Sequence, residues 1–309
     1  MPDPVDHTPV VYASDVDDNR RWSGIPLRDG DLVVSARSKH GTTWMQQICA
    51  LLVFGVADLP APLGWLSPWV DWRVEPLDDL RARLAAQPHR RILKTHTPLD
   101  GLPLDPRATY VVVARHPLDA AVSLYHQGDN LDRARVAELL GEPPPDPRGP
   151  RPTVADWLRT WAVDPASPTD WLESPSGVLH HVSDAWERRD AVVADPTSAD
   201  RLPRVVLVHY ADLLADLAGE MRRLADLLDL PVREERLPAL VEAAGFASMR
   251  AQPSRSVPDH VGVLRSPAAF FRRGRSGGGR DLREPDEVAA VEERCRALAP
   301  APVADWLLR

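Results

Sequence analysis

The sequence is poor in cysteine: Cys49 and Cys295 are the only two, and they form no CxxC pair. Neither a disulfide framework nor a cysteine zinc cluster can be built from them. No apolar run approaches the ~20 residues that span a bilayer, and Met1 to Asn19 lacks the basic-then-apolar plan of a signal peptide. The expected compartment is therefore the cytoplasm. Positive charge is in deficit, since 37 Lys and Arg against 45 Asp and Glu leave a formal net charge of −8. That balance argues against broad nucleic-acid binding, which needs a basic surface. It leaves room for a small polyanion where cations converge locally. No internal repeat is present, and no Asp/Glu/His cluster suggests a metal.

What the sequence does contain is a soluble globular composition, 44% hydrophobic and 27% charged over 309 residues, which excludes global disorder and supports a large core. One domain over residues 30–309 is expected, preceded by an N-terminal segment of residues 1–29 that carries nothing diagnostic. The 32 prolines, with abundant Ala and Arg, read as codon bias. Cys49 sits in an apolar helical run and is expected in the core.

Four short apolar segments read as strands: Asp31 to Arg37, Arg91 to His96, Thr109 to Arg115 and Arg204 to Tyr210. Unalternated runs of this kind are typical of parallel strands covered on both faces, with long helical crossovers between them. The expected fold is a doubly wound α/β sheet. Helices are expected over Thr42 to Gly55, Pro117 to about Gln127, Ser176 to Arg189, Ala211 to Leu228 and Glu234 to Ala244. Pro117 presets the first helical position, and Asp119 faces the positive helix end. Residues 141–153, rich in proline, read as a mobile surface loop near an acceptor pocket. The run Phe270 to Arg280 (FFRRGRSGGGR) is too glycine-rich and basic for core and reads as a mobile lid.

Between the first strand and its helix lies Ser38-Lys39-His40-Gly41-Thr42-Thr43. Glycine permits close backbone approach, the helix start offers free N–H groups, and lysine and hydroxyls add donors, which together make a phosphate cradle. An ordinary turn has the same outline. The loop is not a Walker A sequence, because Lys39 precedes Gly41 instead of following a second glycine.

The run Arg37 to Trp44 (RSKHGTTW) resembles the phosphosulfate loop YPKSGTTW of cytosolic sulfotransferases, enzymes that use 3'-phosphoadenosine-5'-phosphosulfate (PAPS). The resemblance implies PAPS contacts from Lys39, Gly41, Thr42, Thr43 and Trp44, with His40 in the serine position keeping a donor. Lys94-Thr95-His96 is similar to the family's KTH motif, which implies that His96 is the general base and that Lys94 and Lys39 stabilise the transferring sulfonyl group. Arg115 to Ser123 (RHPLDAAVS) resembles the 3'-phosphate motif RNxKDxxVS, implying that Arg115 and Ser123 bind that phosphate. Leu118 replaces the motif's lysine, which reads as one surface charge removed.

Tyr210 matches an adenine-side tyrosine, with a strand-end core aromatic as the lesser alternative. Phe246 and Met249 match TSFxxM, with Ala244 in place of its threonine. Phe271, Arg272, Arg273 and Gly274 fall in a run similar to RKGxxGDWK, with Gly278-Gly279 replacing Asp-Trp. The resemblance spans Gly30 to Arg280 and implies PAPS as donor, the desulfated nucleotide PAP as product, and no metal. Trp65, Trp69 and Trp72 lie where the family builds its acceptor pocket, and a phenolic hydroxyl acceptor suits them; alternatively they pack the fold. Two other readings stay open, a small-molecule kinase and a nucleotide sensor without turnover. The sequence leaves the oligomeric state undecided, a homodimer included.

Overall fold

The computed structural model describes residues 8–146, 149–194, 202–282 and 284–309. In chain order the elements that matter here are β1 (Leu32–Ser35), α1 (Thr42–Phe54), α2 (Leu77–Ala86), β2 (Ile92–Thr95), β3 (Thr109–Ala114), α3 (Pro117–Asn130), α4 (Pro175–Ala194), β4 (Arg204–His209), α5 (Tyr210–Ala215), α6 (Leu217–Leu227) and α7 (Leu237–Ala244). The strands pair in the order β2-β1-β3-β4, every pair parallel, as the unalternated apolar runs imply. Successive residues point to opposite faces. Leu32, Val34, Val111 and Val113 join a core with α1, α6 and α7. Val33, Leu93, Tyr110 and Val112 join a second core with α2 and α4. The doubly wound α/β reading therefore holds, and Cys49 is buried in the first core.

Three local expectations change. The helix expected over 211–228 is two helices, because the chain bends at Asp216 (φ −148°, ψ 81°) and its side chain accepts a hydrogen bond from the Gly219 N–H at 2.8 Å. An Asp three residues before Gly219 is a better N-cap than helix interior. The helix expected from Glu234 begins at Leu237. Leu118, expected at the surface, is fully buried.

The N-terminal stretch belongs to the second core, where Trp22, Ile25 and Leu27 pack with α2. Among its described residues, the proline-rich run 141–153 has no helix or strand, and none of them lines the main cleft. It lies instead against the far end of α3, with Arg151 over the Tyr125 ring. Pro147 and Arg148 lie outside the described residues.

Parallel register aligns the strands' carboxyl ends: Ser35 lies opposite Thr95, and Ala114 opposite His209. At the other end of the sheet a buried ion pair fixes β1 against β2. Arg91 Nε donates to Asp31 Oδ1 at 2.9 Å, and its second nitrogen reaches Oδ2, which also accepts from the Arg28 N–H at 2.8 Å. Breaking a buried pair strands a charge in the interior. Arg91→Ala should cost about 3–5 kcal/mol in urea unfolding while leaving ligand-induced melting shifts in place; a loss under 1 kcal/mol, on the order of a surface ion pair, would show the pair to be dispensable.

Candidate active site

The loop after β1 holds two left-handed residues, Lys39 (φ 68°) and Gly41 (φ 106°). At Gly41 glycine is required twice, because a Cβ there would meet the Tyr210 ring at 2.8 Å. Gly41 also caps α1 without a side chain, so the first-turn N–H groups gain no partner from it. The loop opens on a cleft of about 420 Å³ at the carboxyl edge of the sheet, the usual ligand position in such folds.

Two classes of wall meet in this cleft. One is built from Lys39, Gly41, Thr42, Thr43, Trp44, Arg115, Ser123, Tyr210, Phe246, Met249 and the run Phe271 to Gly274. Trp44 is fixed by its indole N–H donating to the Ala244 carbonyl at 2.8 Å and by an edge contact with Tyr210 at 5.2 Å. Arg115 lies over the Tyr210 ring at 4.4 Å. The other wall carries Lys94, His96, Trp69 and Trp72, with the two indoles stacked at 5.0 Å.

His96 is oriented twice. Its backbone N–H donates to Asp71 Oδ2 at 2.9 Å, and Nδ1 lies 2.5 Å from the Ala36 carbonyl oxygen. A carbonyl only accepts, so Nδ1 carries the proton and Nε2 keeps its lone pair. Burial first, and then the Lys94 ammonium, hold this imidazole well below its ordinary pKa. The ring is therefore neutral at pH 7, protonated on Nδ1 alone.

Lys39, Lys94, Arg115, Arg272 and Arg273 gather positive charge in the cleft. Among the described residues Lys39 makes no ion pair: its ammonium donates to Gln127 Oε1 at 3.2 Å and lies 4.2 Å over the Phe270 ring. Lys94 lies 3.7 Å over the Trp69 ring. Burial pushes Lys39 down to about 7, helped by Lys94 and Arg115, and pushes Lys94 down to about 8. Thr42 Oγ1 and Arg115 Nε are buried with no partner. Orphaned donors beside buried cations fit a polyanionic ligand such as PAPS or PAP.

The basic run, expected as a mobile lid, makes hydrogen bonds to Asp119 and Arg115. Asp119 accepts from the N–H groups of Gly277 and Gly279, each at 2.8 Å, and the Arg115 guanidinium donates to the Arg275 carbonyl at 2.7 Å. Phe271 is core, packed with Met249 and Val257. A Cβ at Gly279 would lie 2.6 Å from the Leu118 backbone, and one at Gly274 would lie 2.4 Å from the Phe246 ring. The glycines therefore let the strand of chain lie flat on the start of α3 and on Phe246.

Two expected site residues lie elsewhere. His40 is buried behind the loop, where its Nδ1 accepts from the Arg115 N–H at 3.1 Å. Burial and then Arg37 lower it to about 3, so it ties the loop to the end of β3 and does not line the cleft. Trp65 is 51% exposed, outside the cleft, against Arg83 and His260.

Sequence reasoning missed Asp17, Asp71 and Gln127. Gln127 lies four residues after Ser123, one turn along the same helix face, a readable signal. Asp17 and Asp71 have no local signature.

The family model described as "Sulfotransferase domain" matches residues 29–299. A glycolipid sulfotransferase of Mycobacterium bovis is 38% identical, the match covering 96% of this chain and 93% of that protein. Sulfotransferase 1A1 of Bos taurus is 26% identical over 80% of this chain and 76% of its own. A crystal structure of retinol dehydratase in a complex with retinol and PAP is similar in fold, with a TM-score of 0.65 at 21% identity, covering 92% of this chain and 87% of that one.

The lysines give a pH prediction. An anion bound beside Lys39 and Lys94 raises both from about 7 and about 8, so binding takes up protons. Affinity is then full below pH ~7 and is lost as the pH rises through the values in the complex. Calorimetry of PAP at pH 8, in two buffers of different ionisation enthalpy, should show uptake of about one proton or more. A heat independent of buffer would refute this.

Proposed function

The chain belongs to the sulfotransferase family, and from that premise we propose a division of labour within its cleft. The enzyme transfers a sulfonyl group from PAPS to the hydroxyl of an organic acceptor and releases PAP. The donor supplies the activated sulfonyl group on a phosphate leaving group; the protein supplies alignment, charge and a base.

Arg115, Ser123 and Arg273 hold the 3'-phosphate, a task suited to an Arg fork and a hydroxyl. Lys39, Thr42, Thr43 and the first amides of α1 hold the 5' end. Trp44 and Phe246 flank the adenine. His96 Nε2 accepts the proton of the acceptor hydroxyl, while Lys94 and Lys39 offset charge on the transferring group. The single observation behind this assignment is the Nδ1 contact to the Ala36 carbonyl, which leaves the other ring nitrogen as a proton acceptor beside Lys94. Donor charge near Lys94 also offsets the cation that depresses His96, so the base strengthens once the donor is bound.

For the acceptor we take a hydroxyl on a glycolipid-like amphiphile. Support comes from the 38% identical relative named a glycolipid sulfotransferase and from the apolar patch of Trp72, Val136 and Val263, with Trp69, Val16 and Leu131, beside His96. A phenol is the second reading, favoured by the stacked Trp69 and Trp72.

His96→Ala should leave the PAP-induced melting shift nearly intact and cut turnover by about a hundredfold or more. Lys39→Ala should reduce both. Normal turnover by His96→Ala with every hydroxyl acceptor, or loss of PAP binding together with the fold, would remove His96 from the role of base.

A further inference from the structure

Residues 14–18 form a strap over the acceptor end of the cleft. Asp17 bridges Trp72 in antiparallel fashion, the Arg73 N–H donates to the Val16 carbonyl at 2.9 Å, and the Asp18 N–H donates to the Asp71 carbonyl at 2.8 Å. The strap closes on itself where the Ser14 N–H donates to the Asp17 carbonyl at 2.8 Å and the Asp17 N–H to Ser14 Oγ at 3.1 Å. Its backbone is thus held, and the Asp17 side chain is presented to the cleft.

That side chain is unexplained by nucleotide binding or by proton abstraction. Asp17 Oδ1 is buried without a hydrogen-bond partner, a costly state for a carboxyl oxygen. Burial and then Asp71 raise its pKa to about 7, against the opposing pull of Arg37 and Lys94. The surroundings restrict what can satisfy it. A cationic group would be repelled by the buried Lys94, an anionic group by the Asp17 carboxylate, and an apolar group would leave the oxygen bare. A neutral hydroxyl fits, since it donates to a carboxylate and accepts from a carboxylic acid.

The reacting hydroxyl is already committed to His96. We propose that Asp17 is a specificity-determining residue that binds a second hydroxyl of the acceptor, so that the enzyme selects a polyhydroxylated, sugar-like headgroup over a lone alcohol or a phenol. The inference rests on the glycolipid reading of the acceptor. Trp69 and Trp72 then form the apolar wall for the C–H face of the ring, and Asp17 sets which hydroxyl faces His96.

The test compares n-octyl glucoside with 1-octanol, equal in alkyl length, as acceptors with PAPS for wild type, Asp17→Ala and Asp17→Asn. In Asp17→Ala the glucoside-to-octanol ratio of kcat/KM should fall by about ten- to a hundredfold, the value of one hydrogen bond to a charged group. Asp17→Asn keeps an acceptor oxygen and should fall less. Both variants should retain the PAP-induced melting shift, which reports that the cleft is folded. An unaltered ratio, an equal loss with both acceptors, or a wild type that prefers octanol overturns the role of Asp17 while leaving sulfonyl transfer standing. A wild type that binds PAP and sulfates neither acceptor defeats the glycolipid reading and this inference together.

Discussion

Asp71 is the buried carboxylate on which the acceptor half of the cleft depends. It accepts from the Trp22 indole at 2.5 Å, the Trp69 indole at 3.2 Å, the Thr95 hydroxyl at 2.6 Å and the His96 N–H at 2.9 Å. Those donors come from the N-terminal stretch, the tryptophan segment and the end of β2. One carboxylate therefore sets the position of an apolar wall, of the His96 imidazole proposed as base and of the chain that carries the strap. A buried carboxylate is tolerated when its lone pairs are filled, and here the donors are also site residues or their neighbours. In the Lys94-Thr95-His96 run, the two outer residues face the cleft and the threonine between them secures the strand end to Asp71.

The donor half works in the opposite way, by leaving charge unsatisfied. An acidic protein with net charge −8 keeps Lys39 and Lys94 buried against aromatic rings. The desolvation cost of these lysines is relieved by an anion, which turns it into ligand affinity. Asp119 marks the limit of this device. It lies 3.6 Å from Arg115 in an ion pair, yet both its oxygens accept backbone N–H groups of the basic run. Much of its charge is thereby directed to the anchoring of the lid.

Leu118 and Gly279 form a matched pair. A buried leucine at the start of α3 allows the lid to lie against the helix, and only glycine can approach the backbone of that residue so closely. Each looks like an isolated departure from the family's pattern when read along the chain. In space they compensate each other, and with Gly274 against Phe246 they hold the arginines of the lid at the donor end without a bulky side chain in the run.

What the sequence by itself determined is local. Apolar runs gave the parallel strands, because burial on both faces demands continuous hydrophobicity. Glycine, proline and the linked motifs gave the loop after β1, the start of α3 and the cluster around Lys39, His96 and Arg115, because those functions depend on residues a few positions apart on one turn. The break at Asp216 was also written there, in a cap that outweighs helical periodicity. Only the tertiary structure decided that His40 turns inward, that Trp65 stays outside, that the basic run is core at Phe271, and that Asp17 and Asp71 border the site. These outcomes depend on contacts between distant segments: Asp17 with Trp72, Asp71 with Trp22 and His96, Asp119 with Gly277. Burial and hydrogen-bond pairing across such separations leave no periodic trace in the chain, since any aspartate outside a recognised motif looks alike until the sheet brings its partners to one edge.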